Sequence, residues 1–165
     1  MNRSRGKLTG RIGLISVICI LLSTGKAFSM NSIDKIIPTP QQVTYTENQI
    51  NIYNGTSFTA CIVKGEKAPQ PELEGVYLIQ DIIARMCGQD IPIIDDTGDY
   101  SAYSTIITLG TAGSNSLNNS LIAANNISLP DNDESYVIRR IESNGKANVL
   151  IAGREAIGCY YGATS

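Results

Sequence analysis

The chain has 165 residues, 42% of them hydrophobic and 17% charged, with a formal net charge of −2 and neither histidine nor tryptophan. That length suits one domain with a single core, and the lack of histidine excludes Ser–His–Asp and Cys–His nucleophile sites and removes the commonest zinc ligand. Five of the 13 basic side chains fall within residues 1–29 and none of the 15 acidic ones do, so the remainder carries eight basic against fifteen acidic groups, a net charge of about −7, which excludes a nucleic-acid footprint and disfavours anionic membrane surfaces.

The N-terminus has the layout of a secretory signal peptide. Arg3, Arg5, Lys7 and Arg11 form a basic flank, an uncharged and mostly apolar run follows over residues 12–22, and small residues lead to Ala27-Phe28-Ser29. Those 11 apolar residues are short of the roughly 20 that a spanning helix needs. Cys19 belongs to the apolar core of the signal, because bulky Val17-Ile18 before it do not fit a lipoprotein cleavage site. The expected organisation is a signal over residues 1–29 and one domain over 30–165, secreted or periplasmic and off the membrane after cleavage.

Ile36-Ile37-Pro38-Thr39-Pro40 should be extended, since proline holds its predecessor out of the helical region. Residues 43–45 and 49–53 read as short strands joined by a polar turn, and residues 57–63 as a third, with Phe58, Ala60 and Ile62 on one face. A helix is predicted over 72–87. Pro69, Pro71, Glu72 and Glu74 open it, Leu73, Val76, Tyr77, Ile79, Ile83, Met86 and Cys87 recur at three- and four-residue steps, and Gly88 closes it behind Arg85. Residues 91–94 and the β-branched run 105–109 are strands separated by a turn at Asp95-Asp96-Thr97-Gly98-Asp99. Ser114 is placed as the cap of a second helix over 114–125 carrying Leu117, Leu121 and Ile122. Residues 136–141 and 149–152 flank Asn144-Gly145, a dipeptide favoured in tight hairpins, and a third helix begins at Arg154. The order predicts an α+β domain, helices packed on a mixed β-sheet.

Chemistry is sparse. No Gly-rich phosphate loop occurs. Cys61, Cys87 and Cys159 lack zinc spacing, permit at most one internal disulfide, and read as small buried apolar residues. Asp133-Glu134 is an acidic pair of the kind glycosidases use, yet neighbours on an extended chain point apart, and 130–134 reads as a polar loop. Asp131, Asp133 and Glu142 match three positions of a calcium loop, but Tyr136 stands where that loop needs glycine. Asp95, Asp96 and Asp99 read as a solvated turn. Glycan contact would call for exposed aromatics, and Tyr160-Tyr161 lie on a packed helix. Sequons stand at Asn54, Asn118 and Asn126, with Asn54 and Asn118 expected to be exposed. No catalytic, cofactor-binding or metal residue is assigned, and no cofactor is expected.

Four segments, in order, carry a family resemblance: Ile36-Ile37-Pro38-Thr39-Pro40-Gln41, Ile106-Ile107-Thr108-Leu109-Gly110, Glu134-Ser135-Tyr136-Val137-Ile138, and Val149-Leu150-Ile151-Ala152-Gly153 with Gly158-Cys159-Tyr160-Tyr161-Gly162-Ala163-Thr164. Together they resemble the N-terminal accessory domain of family 20 glycoside hydrolases, the β-N-acetylhexosaminidases; related domains precede the barrels of family 84 enzymes and α-glucuronidases. The resemblance implies a zincin-like fold without a metal site and a final G-x-x-Y-G-x-x-T helix leading into a catalytic (β/α)8 barrel. That barrel is the expected partner, and it holds the family's catalytic Asp-Glu pair in a His- and Gly-rich motif whose context Asp133-Glu134 lacks. The chain is then the non-catalytic part of a secreted hydrolase, as a fragment or truncated copy; the alternative is a stand-alone extracellular carbohydrate-binding or protein-interaction module. Mass spectrometry of the exported protein should find Met30 as the new N-terminus, and intact Met1 protein held in the membrane would refute the signal.

Overall fold

A computed structural model describes residues 42–44 and 49–165; the signal, the Ile36–Gln41 motif and Tyr45 lie outside the described residues. The elements are β1 (Ala60–Lys64), α1 (Gln70–Cys87), β2 (Ile93–Asp95), β3 (Thr105–Leu109), α2 (Ser116–Ala124), β4 (Tyr136–Ser143), β5 (Lys146–Gly153) and α3 (Ala156–Thr164). The strands make one mixed five-stranded sheet in the order β2-β1-β3-β5-β4. Three neighbouring pairs are parallel and only the β4–β5 hairpin is antiparallel. The fold is α+β, as the order of elements predicts.

Burial follows from this topology. Parallel strands covered on both faces need apolar side chains at every position, and all five residues of β3 are buried. Alternation sorts them between the faces. Ala60, Ile62, Ile107, Leu109 and Ile151 pack with Val76 and Ile83 of α1 and Cys159 of α3. On the other face Ile141, Leu150 and Ala152 meet Leu121 of α2, while Cys61, Val63 and Ile106 meet Ile94, Tyr100, Tyr103 and Leu117. The sheet is thus sandwiched between the α1–α3 pair and α2. Helix α1 ends as predicted, at Gly88 with φ 73° and its N–H on Ala84 O. Tyr77 and Met86, both expected in the core stripe, are instead exposed, because they fall outside the arc that touches the sheet.

Two expected strands do not form. Val43 and Thr44 are exposed and irregular, and of residues 49–53 only Tyr53 makes an isolated antiparallel bridge, to Phe58. Asn54 is the cause. Its Oδ1 accepts from Thr56 N and Ser57 N at 3.0 and 2.9 Å, turning the chain back within four residues. Ile52 and Phe58 still pack on the core, so the apolar alternation marks a packed loop. Strand β2 is shorter than expected because Pro92 has no N–H to give; its carbonyl accepts from Ile62 N at 2.8 Å.

The hairpin forms at the predicted dipeptide. Asn144 and Gly145 have φ 52° and 72°, the pair of positive values a two-residue turn needs to match strand twist. Nothing lies within 4 Å of a Cβ built on Gly145, so substitution there strains only the backbone. Gly145→Ala should lower unfolding free energy by about 1–2 kcal/mol, read as a shift of the urea midpoint without a change in slope.

Candidate functional site

The chemistry gathers at the carboxyl ends of the parallel strands. Helix α1 carries the chain from β1 to β2 on one side, while β3 lies on the other side of β1. Strand order therefore reverses between β1 and β3, which is where open sheets of this kind place ligands. An open cleft of about 560 Å³ lies there, lined by Glu66, Lys67, Asp96, Thr97, Thr111 and Ser114 among others.

Beneath the cleft runs a buried polar network. Asn115, not Ser114, caps α2: it is extended (φ −128°) and its Oδ1 accepts from Leu117 N and Asn118 N at 3.0 and 3.1 Å. Its Nδ2 donates to Leu109 O at 3.0 Å and to Val63 O at 3.3 Å, tying β3 to β1. Asn118 continues the chain of bonds. Its Oδ1 accepts from Thr108 Oγ1 at 2.5 Å, and its Nδ2 donates to Gly110 O and Ile151 O at 2.6 and 3.1 Å. Both amides and Thr108 are fully buried. Asn118 was expected to be exposed at its sequon; it is inaccessible to a glycan, whereas Asn54 and Asn126 are exposed.

Glu72 explains why Ser114 is not the cap. It is fully buried in the first turn of α1. Its carboxylate accepts from Thr111 N at 3.0 Å and from Ser114 Oγ at 2.7 Å to each oxygen, with Cys159 Sγ 3.9 Å away. No basic side chain among the described residues pairs with it; the donors and the positive end of α1 hold the charge. The arrangement is a latch rather than a nucleophile and base, since the nearest backbone N–H that could stabilise an oxyanion is already bonded to Glu72.

Asp96 holds the cleft's rim. One oxygen accepts from Glu66 N at 2.9 Å and the other from Ser116 N at 2.6 Å. Partial burial pushes its pKa upward, but hydrogen bonds from the Ser116 side chain and backbone and from the Glu66 backbone outweigh it, leaving the carboxyl below its usual range. Its neighbours in the turn are also engaged. Asp95 pairs with Lys64, and Asp99 accepts from Ser101 N at 2.8 Å, its carboxyl lowered by bonding to the Ser101 side chain and backbone.

The other acidic candidates stay apart. Asp133 and Glu134 are exposed in a turn built by Asn132, whose Oδ1 accepts from Glu134 N at 2.9 Å. Asp131 pairs with Arg154 at 2.9 Å. Glu142 pairs with Arg140 near the far end of β4, about 20 Å of strand from Tyr136, so the three calcium-like positions do not converge. Among the described residues no cluster of three metal-ligating side chains occurs. Cys61, Cys87 and Cys159 are free. Burial pushes the Cys61 thiol up to about 12 against the opposing pull of Lys146, and burial followed by the Glu72 charge does the same for Cys159, also to about 12; such thiols are poor nucleophiles. Tyr160 and Tyr161 lie half-buried on α3 with ring centroids 6.1 Å apart.

Asp96→Ala should cost about 1–2 kcal/mol at pH 7, the worth of an acceptor at a helix start. Because its folded pKa is depressed, ionised Asp96 contributes fully above its ordinary value of 3.8 and the contribution is lost as pH falls through the lower folded value. Urea midpoints of the variant and the unsubstituted protein should therefore begin to converge only below that value. Comparison with protein-family models finds no match, and comparison with curated proteins finds none.

Proposed function

We propose that this chain is the non-catalytic accessory domain of a secreted glycoside hydrolase of the β-N-acetylhexosaminidase kind, seated in the parent enzyme against a catalytic (β/α)8 barrel and sharing the zincin-like layout of that family's N-terminal domain. The observation that carries the reading is the fit between the family-like segments and close packing. Gly158 and Gly162, the glycines of the G-x-x-Y-G-x-x-T helix, lie where a Cβ would come within 2.3 Å of Ser135 O and 2.8 Å of Ile151 Cγ2. The helix motif, the segment before β4 and the β5 motif are therefore one packing unit, which gives their joint occurrence a physical reason. The commitment of buried Glu72 to a latch, and the solvation of Asp133 and Glu134, support a role without chemistry.

Glycoside cleavage needs two carboxyl groups about 5–10 Å apart in a pocket that grips the sugar, or one positioned acid where the substrate's acetamido group assists. The exposed turn of Asp133 and Glu134 offers neither. A stand-alone extracellular module is the second reading, favoured by the cleft beside Asp96. Chromogenic N-acetylglucosaminides and uronides should not be turned over by the purified protein, with or without added zinc or calcium. Turnover that disappears in Asp133→Ala or Glu134→Ala would overturn the proposal. An in-frame barrel sequence in the DNA downstream would favour the accessory reading over the module.

A further inference from the structure

The cleft at the reversal of strand order has a rim made of three segments: the one leaving β1, the turn after β2, and the one leaving β3. Its volume of about 560 Å³ falls in the range of ligand sites, about 300–1,000 Å³. Two helix starts border it, which ordinarily suits an anion. Here that use is closed off. The N–H of Ser116 is taken by Asp96, those of Leu117 and Asn118 by Asn115, and that of Thr111 by Glu72. Glu66 and Asp96 also outnumber Lys67 on the lining, so the local charge repels an anion.

What remains is hydroxyl and carboxylate chemistry. A carboxylate has about four lone-pair sites, and the two backbone amides on Asp96 use one on each oxygen. Those same bonds fix the carboxylate, so it offers its remaining capacity without losing rotamer freedom on binding. Thr97 and Ser116 bring hydroxyls that both donate and accept, and Lys67 adds a donor at the exposed edge. A rigid acceptor among hydroxyls matches a ligand that presents several neutral O–H groups.

We propose that this cleft binds a neutral polyhydroxylated ligand, a sugar unit, with the Asp96 carboxylate accepting from its hydroxyls and Thr97, Ser116 and Lys67 completing the contacts. The assignment rests on the chemistry of the cleft and not on the hydrolase reading, so a binding titration and the turnover assay can fail independently. Without an aromatic platform the affinity is weak, in the millimolar range.

The test is a titration of the full chain, 15N-labelled, with N-acetylglucosamine, its β-linked dimer and inorganic phosphate, followed by amide shifts. Saturable shifts confined to residues 96–97 and 111–116 with the sugars, and no saturable response to phosphate, are expected. A Cβ on Gly113 meets only Thr111 Oγ1, at 3.8 Å, so Gly113→Phe can fill the cleft while sparing the core, and it should abolish the sugar response. Thr97→Val, which removes an exposed hydroxyl, should weaken binding about fivefold, as expected for one lost hydrogen bond. No saturable shift with either sugar would overturn the proposal. So would a phosphate response as strong as theirs, or sugar shifts that persist in a natively folded Gly113→Phe protein.

Discussion

The side-chain amide of Asn115 joins strands that have no other reason to end in register. It caps α2 through its oxygen while its nitrogen reaches carbonyls on β1 and β3. Carbonyls at the ends of buried parallel strands have no ladder partner beyond the last pair, and leaving one unsatisfied costs about 1–3 kcal/mol. Asn118 treats the ends of β3 and β5 in the same way. The pair of amides makes the termination of three strands and the start of one helix a single event, and polar networks of this kind are worth most when every member is bonded. The position of α2, and with it one wall of the cleft, depends on them.

Glu72 ties the opposite helix layer into the same place. A buried carboxylate with no cation beside it is tolerated because donors from the β3–α2 segment converge on it and because it sits at the start of α1. The acids of this chain thus divide by task. Glu72 and Asp96 hold segments together, and Asp133 and Glu134 are solvated. A hydrolase needs an acid that is free, poised and enclosed; the acids that are enclosed here are not free.

Periodicity made much of this fold legible. The three- and four-residue recurrence in 72–87, the β-branched run at 105–109 and Asn144-Gly145 each specified an element that forms close to its expected bounds. The reading went astray where local side-chain bonds outrank pattern: Asn54 turns a segment whose alternation resembles strands. The polar network was the least legible part. Asn115 and Asn118 sit in a run rich in Asn and Ser that looks like a solvated surface, and nothing in composition tells a buried amide from an exposed one. Glu72 was recognised only as a helix-start residue, and a one-dimensional pattern cannot place Ser114 beside it. Serine drawn off to that carboxylate leaves the cap to its neighbour, a competition visible only in three dimensions.

The hairpin bears on how the chain assembles. β4 and β5 are joined by two residues and pair along their whole length, so closing that loop costs little entropy and can occur within microseconds. β3 must instead find partners more than forty residues away on both sides, with Ala60 opposite Thr105 and Thr105 opposite Ala147. Contacts this distant in sequence slow the search for the native arrangement. The hairpin is thus the natural early template, onto which β3 docks at β5 before β1 completes the sheet. Until then the apolar faces of β3 stand open to other chains, which makes the Asn144–Gly145 turn a determinant of how cleanly the protein folds as well as of how stable it is.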